Sequence, residues 1–190
     1  MKKLILLGMA VAGVAAFAMP AAASALEMRD AGGKVALGSQ IKGVSHNTKV
    51  TNTALGTLFC ETVEAVGEVS VNGPSTITGG GGFGGAVETS GCEASGEPLT
   101  VTEPSVEHLV TTGGDTATAT LSFVADVGPF ECPYGGEVPG TYSTGSGNDT
   151  LTLSGSVTSP FEFCEGEGVA TFEGTYTMTE AFGGQPVYVQ

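Results

Sequence analysis

The sequence predicts an all-β protein: an antiparallel β-sandwich of roughly ten strands, stapled by disulfides. Three observations predict it. Apolar residues alternate with threonine and serine over long stretches of the second half. Turn signals rich in Gly, Asn and Asp separate these stretches. Four cysteines are spaced evenly along the chain. Beyond the first 25 residues no stretch shows the 3.6-residue period of a helix.

Residues 1–25 read as a secretory signal peptide. Lys2 and Lys3 form its charged start, Leu4 to Met19 its apolar run, and Pro20 ends that run. Ala23-Ser24-Ala25 supplies the small residues a signal peptidase needs, which places the cut before Leu26. The apolar run is short beside the roughly 17–25 residues of a membrane span, and it leads straight into the cleavage signal. It contains no cysteine for a lipid anchor. The expected product is one domain, residues 26–190, secreted into the extracellular space with no membrane insertion after cleavage.

Residues 26–49 hold Arg29, Lys34, Lys42 and Lys49, the only basic residues after the leader. They read as a basic N-terminal segment, with a hairpin around Asp30–Gly33, laid against an acidic body over 50–190. The clearest strands follow in that body. Ala117, Leu121, Phe123 and Ala125 alternate with Thr116, Thr118, Thr120 and Ser122. Leu151, Leu153 and Val157 alternate with Thr152, Ser154 and Ser156, and Ala170, Phe172, Tyr176 and Met178 with Thr171, Glu173 and Thr175. Such runs are half-buried strands, apolar inward and threonine outward. The expected core is Leu121, Phe123, Leu151, Leu153, Phe172 and Tyr176. Shorter strand candidates are Lys34–Leu37, Ile41–Ser45, Leu55–Phe59, Glu68–Val71, Ala86–Thr89, Leu99–Glu103, Val106–Thr111, Val138–Ser143, Phe161–Cys164 and Val187–Val189.

Cys60, Cys92, Cys132 and Cys164 form an even set in an exported chain, which reads as two disulfides. The separations 60 to 92 and 132 to 164 are both 32, which favours Cys60–Cys92 and Cys132–Cys164 among the three possible pairings. The close-set cysteine pairs of a zinc site are missing. An offset of 72 residues lays Cys60 on Cys132 and Cys92 on Cys164, which offers duplicated halves as one reading of the body.

Without Lys2 and Lys3 the chain carries four basic residues against twenty acidic ones, a net charge of −16. This excludes the counterion-releasing contacts that nucleic acid needs, and any attraction to anionic membrane surfaces. Solubility is sufficient reason for such a charge.

Motifs that carry chemistry are few. Gly80-Gly81-Gly82-Phe83-Gly84-Gly85 matches a dinucleotide loop in letters, but no helix follows to meet a pyrophosphate. The stretch reads as a flexible loop. Gly145-Ser146-Gly147-Asn148-Asp149 resembles one turn of a calcium-binding repeat, but the motif occurs once and its stacked partner is missing. A hairpin loop is the preferred reading. Asp149, Glu162 and Glu165 are the weak metal candidates, with calcium as the possible cation. Glu93 and Glu97 near Cys92, and Glu162, Glu165 and Glu167 near Cys164, are the groups from which a hydrolase carboxylate pair would have to come. No nucleophile elbow occurs, and His108 reads as a strand residue on the face of Val106 and Val110. No catalytic residue is assigned and the chain is read as a non-enzyme that needs no cofactor.

The Ala-rich leader, the Thr/Gly-rich strands, the four spaced cysteines and the terminal Pro186-Val187-Tyr188-Val189 together resemble a group of small exported all-β, four-cysteine proteins of high-GC Gram-positive, actinobacterial-type bacteria. The resemblance implies a fold class and a location and says nothing of chemistry. The expected function is non-catalytic, extracellular binding or structure at the cell envelope, its partner an envelope component or an extracellular ligand. The alternatives are a calcium- or polysaccharide-binding module and a secreted hydrolase with a carboxylate pair.

Overall fold

The computed structural model describes residues 27–73, 76–80, 87–111, 115–143, 149–166 and 169–189. The leader, most of the Gly80–Gly85 run and the first part of the calcium-like turn lie outside the described residues.

Thirteen strands and one short helix are described: β1 (Met28–Asp30), β2 (Gly33–Lys34), β3 (Gln40–Asn52), β4 (Gly56–Asn72), β5 (Ile77–Gly80), β6 (Val87–Ala94), β7 (Glu97–Pro98), β8 (Thr100–Thr111), β9 (Thr116–Val127), β10 (Phe130–Ser143), β11 (Thr150–Val157), α1 (Glu162–Glu165), β12 (Ala170–Glu180) and β13 (Tyr188–Val189). The chain is all-β, but it is a closed barrel and not the expected sandwich. Strands β3, β4, β5, β8, β9, β10, β11 and β12 follow one another around a ring of antiparallel neighbours, and β12 pairs back onto β3. This is an up-and-down barrel of eight strands. Alternation in the sequence marks one buried face, and a sandwich and a barrel both have one. Length decides between them. At 13 and 17 residues, β3 and β4 are long enough to coil, and β3 offers its free edge to β12.

The core lies inside the ring. Leu121, Leu151, Leu153, Phe172 and Tyr176 are buried there, and Phe123 packs partly buried against them. Burying one such side chain stabilises by about 1.5–3 kcal/mol. The Tyr176 ring lies back along its own strand, which needs a small residue two positions before it. A side chain at Gly174 would strike the Tyr176 ring, its Cβ falling 2.9 Å from Cε2. The outer face carries Thr116, Thr118, Thr152, Ser154, Thr171 and Thr175, all exposed. That polarity is the reverse of a membrane-spanning barrel, whose outside is apolar. Among the described residues no helix is long and apolar enough to cross a membrane.

Four short-range expectations change. The segment 26–49 carries the hairpin around Asp30–Gly33 and also runs on into the barrel wall. The turn between β1 and β2 exists, but residues 40–49 form most of β3, with Ile41 and Ser45 in the core. Lys42 and Lys49 pair with Glu64 and Glu173 of the body, while Arg29 and Lys34 pair with Glu27 beside them. Leu55–Phe59 and Glu68–Val71 are parts of one strand, β4. Leu99–Glu103 and Val106–Thr111 merge in β8, whose register shifts between Thr102 and Ser105 around Glu103 and Pro104. Phe161–Cys164 is mostly helix, because α1 must turn the chain beneath the barrel instead of extending it.

Disulfides join Cys60 to Cys92 and Cys132 to Cys164. The first links directly paired positions on β4 and β6, and the second ties α1 to β10. The 72-residue offset lays β3 on β9, β4 on β10, β5 on β11 and β8 on β12. Side-chain direction repeats only in places: Ser45 and Ala117 are both buried, but Leu58 is buried while Phe130, its offset partner, is exposed.

Candidate functional site: the barrel interior and its seam

Among the described residues each end of the barrel is covered in part by a small element. At one end β1, β2 and β13 form a three-stranded cap that buries Met28, Val35, Val187 and Val189. Asn72, at the end of β4, pins this cap. Its Nδ2 donates to the carbonyls of Met28 and Val35 at 2.9 and 2.8 Å, and its Oδ1 accepts from Met28 N–H at 2.8 Å. Asp149 adds a second pin, its Oδ2 accepting from Val189 N–H at 2.8 Å.

At the other end α1 is the plug. Tyr134 donates its hydroxyl hydrogen to the Cys164 carbonyl at 2.6 Å and accepts from Asn52 Nδ2 at 3.1 Å. Asn52 Oδ1 also accepts from Ala54 and Leu55 N–H, which holds the β3–β4 turn under the helix. Burial pushes the Tyr134 hydroxyl up to about 12; the nearby Glu165 carboxylate adds to the rise and the Asn52 bond opposes it. Burial likewise raises Tyr142, against a hydrogen bond from Thr111 at 3.2 Å.

Between the plugs lie two cavities of about 80 and 90 Å³. Leu58, Leu121 and Phe172 wall the first; Leu151, Leu153 and Met178 wall the second. Tyr176, Ala65 and Val106 border both. Tyr176 is fixed there by a hydrogen bond with Thr48, which in turn donates to Ser45 Oγ at 2.9 Å. Burial pushes its hydroxyl up to about 12, against the Thr48 bond. The linings are predominantly apolar, and the Lys49 ammonium at the rim is turned out to Glu173 at 2.6 Å.

The first cavity reaches the surface sideways. Strands β5 and β6 lie end to end along the same edge of β4, but only β5 pairs with β8. Beyond the bond from Leu99 N–H to the Cys92 carbonyl, no backbone pairing among the described residues joins β6 to the first half of β8. This unpaired seam is one wall of the cavity. Its lining residues Val87, Thr89, Val101, Pro104 and Ser105 are half-exposed, while Leu58, Leu121 and Phe172 opposite are buried. The first cavity therefore opens through the wall of the barrel.

The residues singled out in the sequence fall elsewhere. Glu162 and Glu165 belong to α1, and Glu165 accepts from Ser159 N–H. Asp149 is buried in the cap. Among the described residues no group of three or more His, Cys, Asp or Glu is placed to hold a metal ion. His108 is exposed, because the shift in register between Val106 and His108 turns it away from the face of Val106. His46 is exposed too, its Nδ1 3.4 Å from Thr62 Oγ1. The residues that line the seam gave one usable signal, the Glu103-Pro104 pair that breaks a strand pattern. Near α1, Phe130, Phe161 and Phe163 form an exposed ring cluster with centroids 5.3 and 5.4 Å apart.

No protein-family model matches the chain, and no curated protein or solved structure matches it, so what the barrel binds has to be argued from its own interior.

Proposed function

We propose that this chain is an exported, non-catalytic binding protein whose barrel interior takes a small apolar ligand through the seam between β6 and β8. One observation carries the reading: an eight-stranded barrel keeps unfilled apolar space between its cap and its plug, and part of that space reaches the surface where β6 faces β8 without pairing. Barrels of this strand number either fill their interiors with side chains or hold one small ligand. Empty apolar volume weakens a fold, because its lining loses contacts. A ligand that fills it restores them. Export is supported by the leader pattern over residues 1–25 and by the two disulfides, which persist in oxidising compartments.

The test is a thermal melt with hexane-saturated and hexane-free buffer, repeated on Val106→Trp, which fills the space both cavities border. A ligand that binds only the folded state raises Tm by mass action. The expected result is a rise in the native chain that the variant loses while keeping a strand-rich circular dichroism spectrum. A native melt indifferent to hexane rejects the reading.

A further inference from the structure

The interior is divided, and the division limits what fits. A cavity of about 150 Å³ accommodates one benzene ring. Neither lobe, at about 80 and 90 Å³, reaches that size alone. Together they exceed it slightly. On the benzene scale of about 25 Å³ per carbon, their joint volume holds about seven carbon atoms. The lobes follow one another along the barrel. The first lies between Val50, Leu58 and Phe123 toward the α1 end, and the second between Ile41, Val69 and Leu151 toward the cap. Tyr176 stands between them and borders both. Its ring lies against Gly174 and Gly43, and its hydroxyl is held by Thr48. A compact ring would need one lobe to double. An unbranched chain needs only a shift of the Tyr176 ring to occupy both.

We propose that the barrel takes the tail of a single-chain amphiphile: about seven carbons of an unbranched hydrocarbon chain inside, and an uncharged polar head left at the β6–β8 seam. This rests on the reading of the interior as a ligand site. The head stays outside because the two charged residues that border the lobes lie at their rims, Lys49 paired with Glu173 and Glu68 exposed, and a charge buried without a partner is costly. It is uncharged because Glu88, Glu103 and Glu107 are exposed on the two strands that frame the seam, and they repel a carboxylate.

The native chain is titrated with 1-alkanols from butanol to decanol, and with benzene and cyclohexane, while the methyl resonance of Met178 in the second lobe is followed by NMR. Each buried methylene is expected to tighten binding about fourfold. The expected series tightens to about seven carbons and then flattens, with Met178 shifting from about pentanol onward. Benzene and cyclohexane bind at least tenfold more weakly than hexanol, and heptanoate more weakly than heptanol. In Tyr176→Ala, with the partition between the lobes removed, benzene gains at least tenfold. If that variant does not fold, the alkanol series on the native chain decides alone. Rings binding as well as hexanol, a series that flattens at four carbons, or a Met178 methyl that never shifts overturns the chain-shaped site while leaving apolar binding intact. Failure of every alcohol and ring to saturate overturns the binding reading itself.

Discussion

Asn72 holds more of this molecule than its size suggests. Three hydrogen bonds from one buried amide tie the β1–β2 hairpin to the barrel. Asn72→Ala leaves a buried N–H and two carbonyls without that partner, which costs about 1–3 kcal/mol where a buried group goes unsatisfied. We expect a loss of about 3 kcal/mol, read as a lower urea midpoint. A loss under about 1 kcal/mol would show that Met28, Val35, Val187 and Val189 hold the cap by apolar contact alone. The tyrosines give the corresponding test by pH. Tyr134 and Tyr176 keep their protons to about pH 12 when folded but lose them near 10 when unfolded. The unfolded chain binds fewer protons in that window, so the stability these groups contribute is complete below pH 10 and is lost as pH rises toward 12. Urea midpoints at pH 9, 10.5 and 12 should fall in that order, and Tyr176→Phe should flatten part of the fall.

At the scale of elements, the disulfides divide the work. Each closes a loop with a sequence separation of 32. Removing either is expected to cost about 3–4 kcal/mol in the loop-entropy model. Cys132 and Cys164 are fully buried and Cys60 and Cys92 are not. Replacing the Cys132–Cys164 pair by alanines should therefore cost more than replacing Cys60–Cys92, by the cavity it leaves. Comparing the two double variants in urea checks the order. The elements were unequally legible in the sequence. β9, β11 and β12 could be read residue by residue, because their alternation runs unbroken through Leu121, Leu153 and Phe172. β3 could not. Ile41, Gly43 and Ser45 face inward, then Thr48, Val50 and Asn52, with the phase reversed across His46 and Asn47. Asn47 takes a φ of 73°, a left-handed turn within a strand that erases the two-residue signal. β10 hid for another reason. Pro139 has no N–H to donate, so pairing with β11 stops at Gly140 and returns only as a single bridge from Gly135 to Thr158. The cavities left no trace in the sequence at all, since lining and filling residues are the same apolar types.

At the scale of the molecule, ring closure was the feature that alternation could not reveal, and it sets the main contrast with a sandwich. A sandwich exposes four edges. This ring has neither a free first strand nor a free last one, because β12 meets β3. Among the described residues the wall is interrupted where β6 faces β8 without pairing, and more briefly between β10 and β11 beside Pro139. Unpaired strand edges template the addition of other chains, and proteins blunt them with proline, charge and bulges. All three occur here: Pro104 lacks an N–H, the register of β8 shifts beside it, and Glu88, Glu103 and Glu107 stand exposed along the gap. Of the three guards charge is the one that substitution removes without touching the backbone. With Glu88, Glu103 and Glu107 all replaced by glutamine, the gap keeps its unpaired backbone and loses its repulsion, and it becomes adhesive. We expect light scattering of that triple variant to rise with protein concentration while that of the native chain stays flat. Self-association in this protein would then begin at its doorway and not at the margins of a sheet.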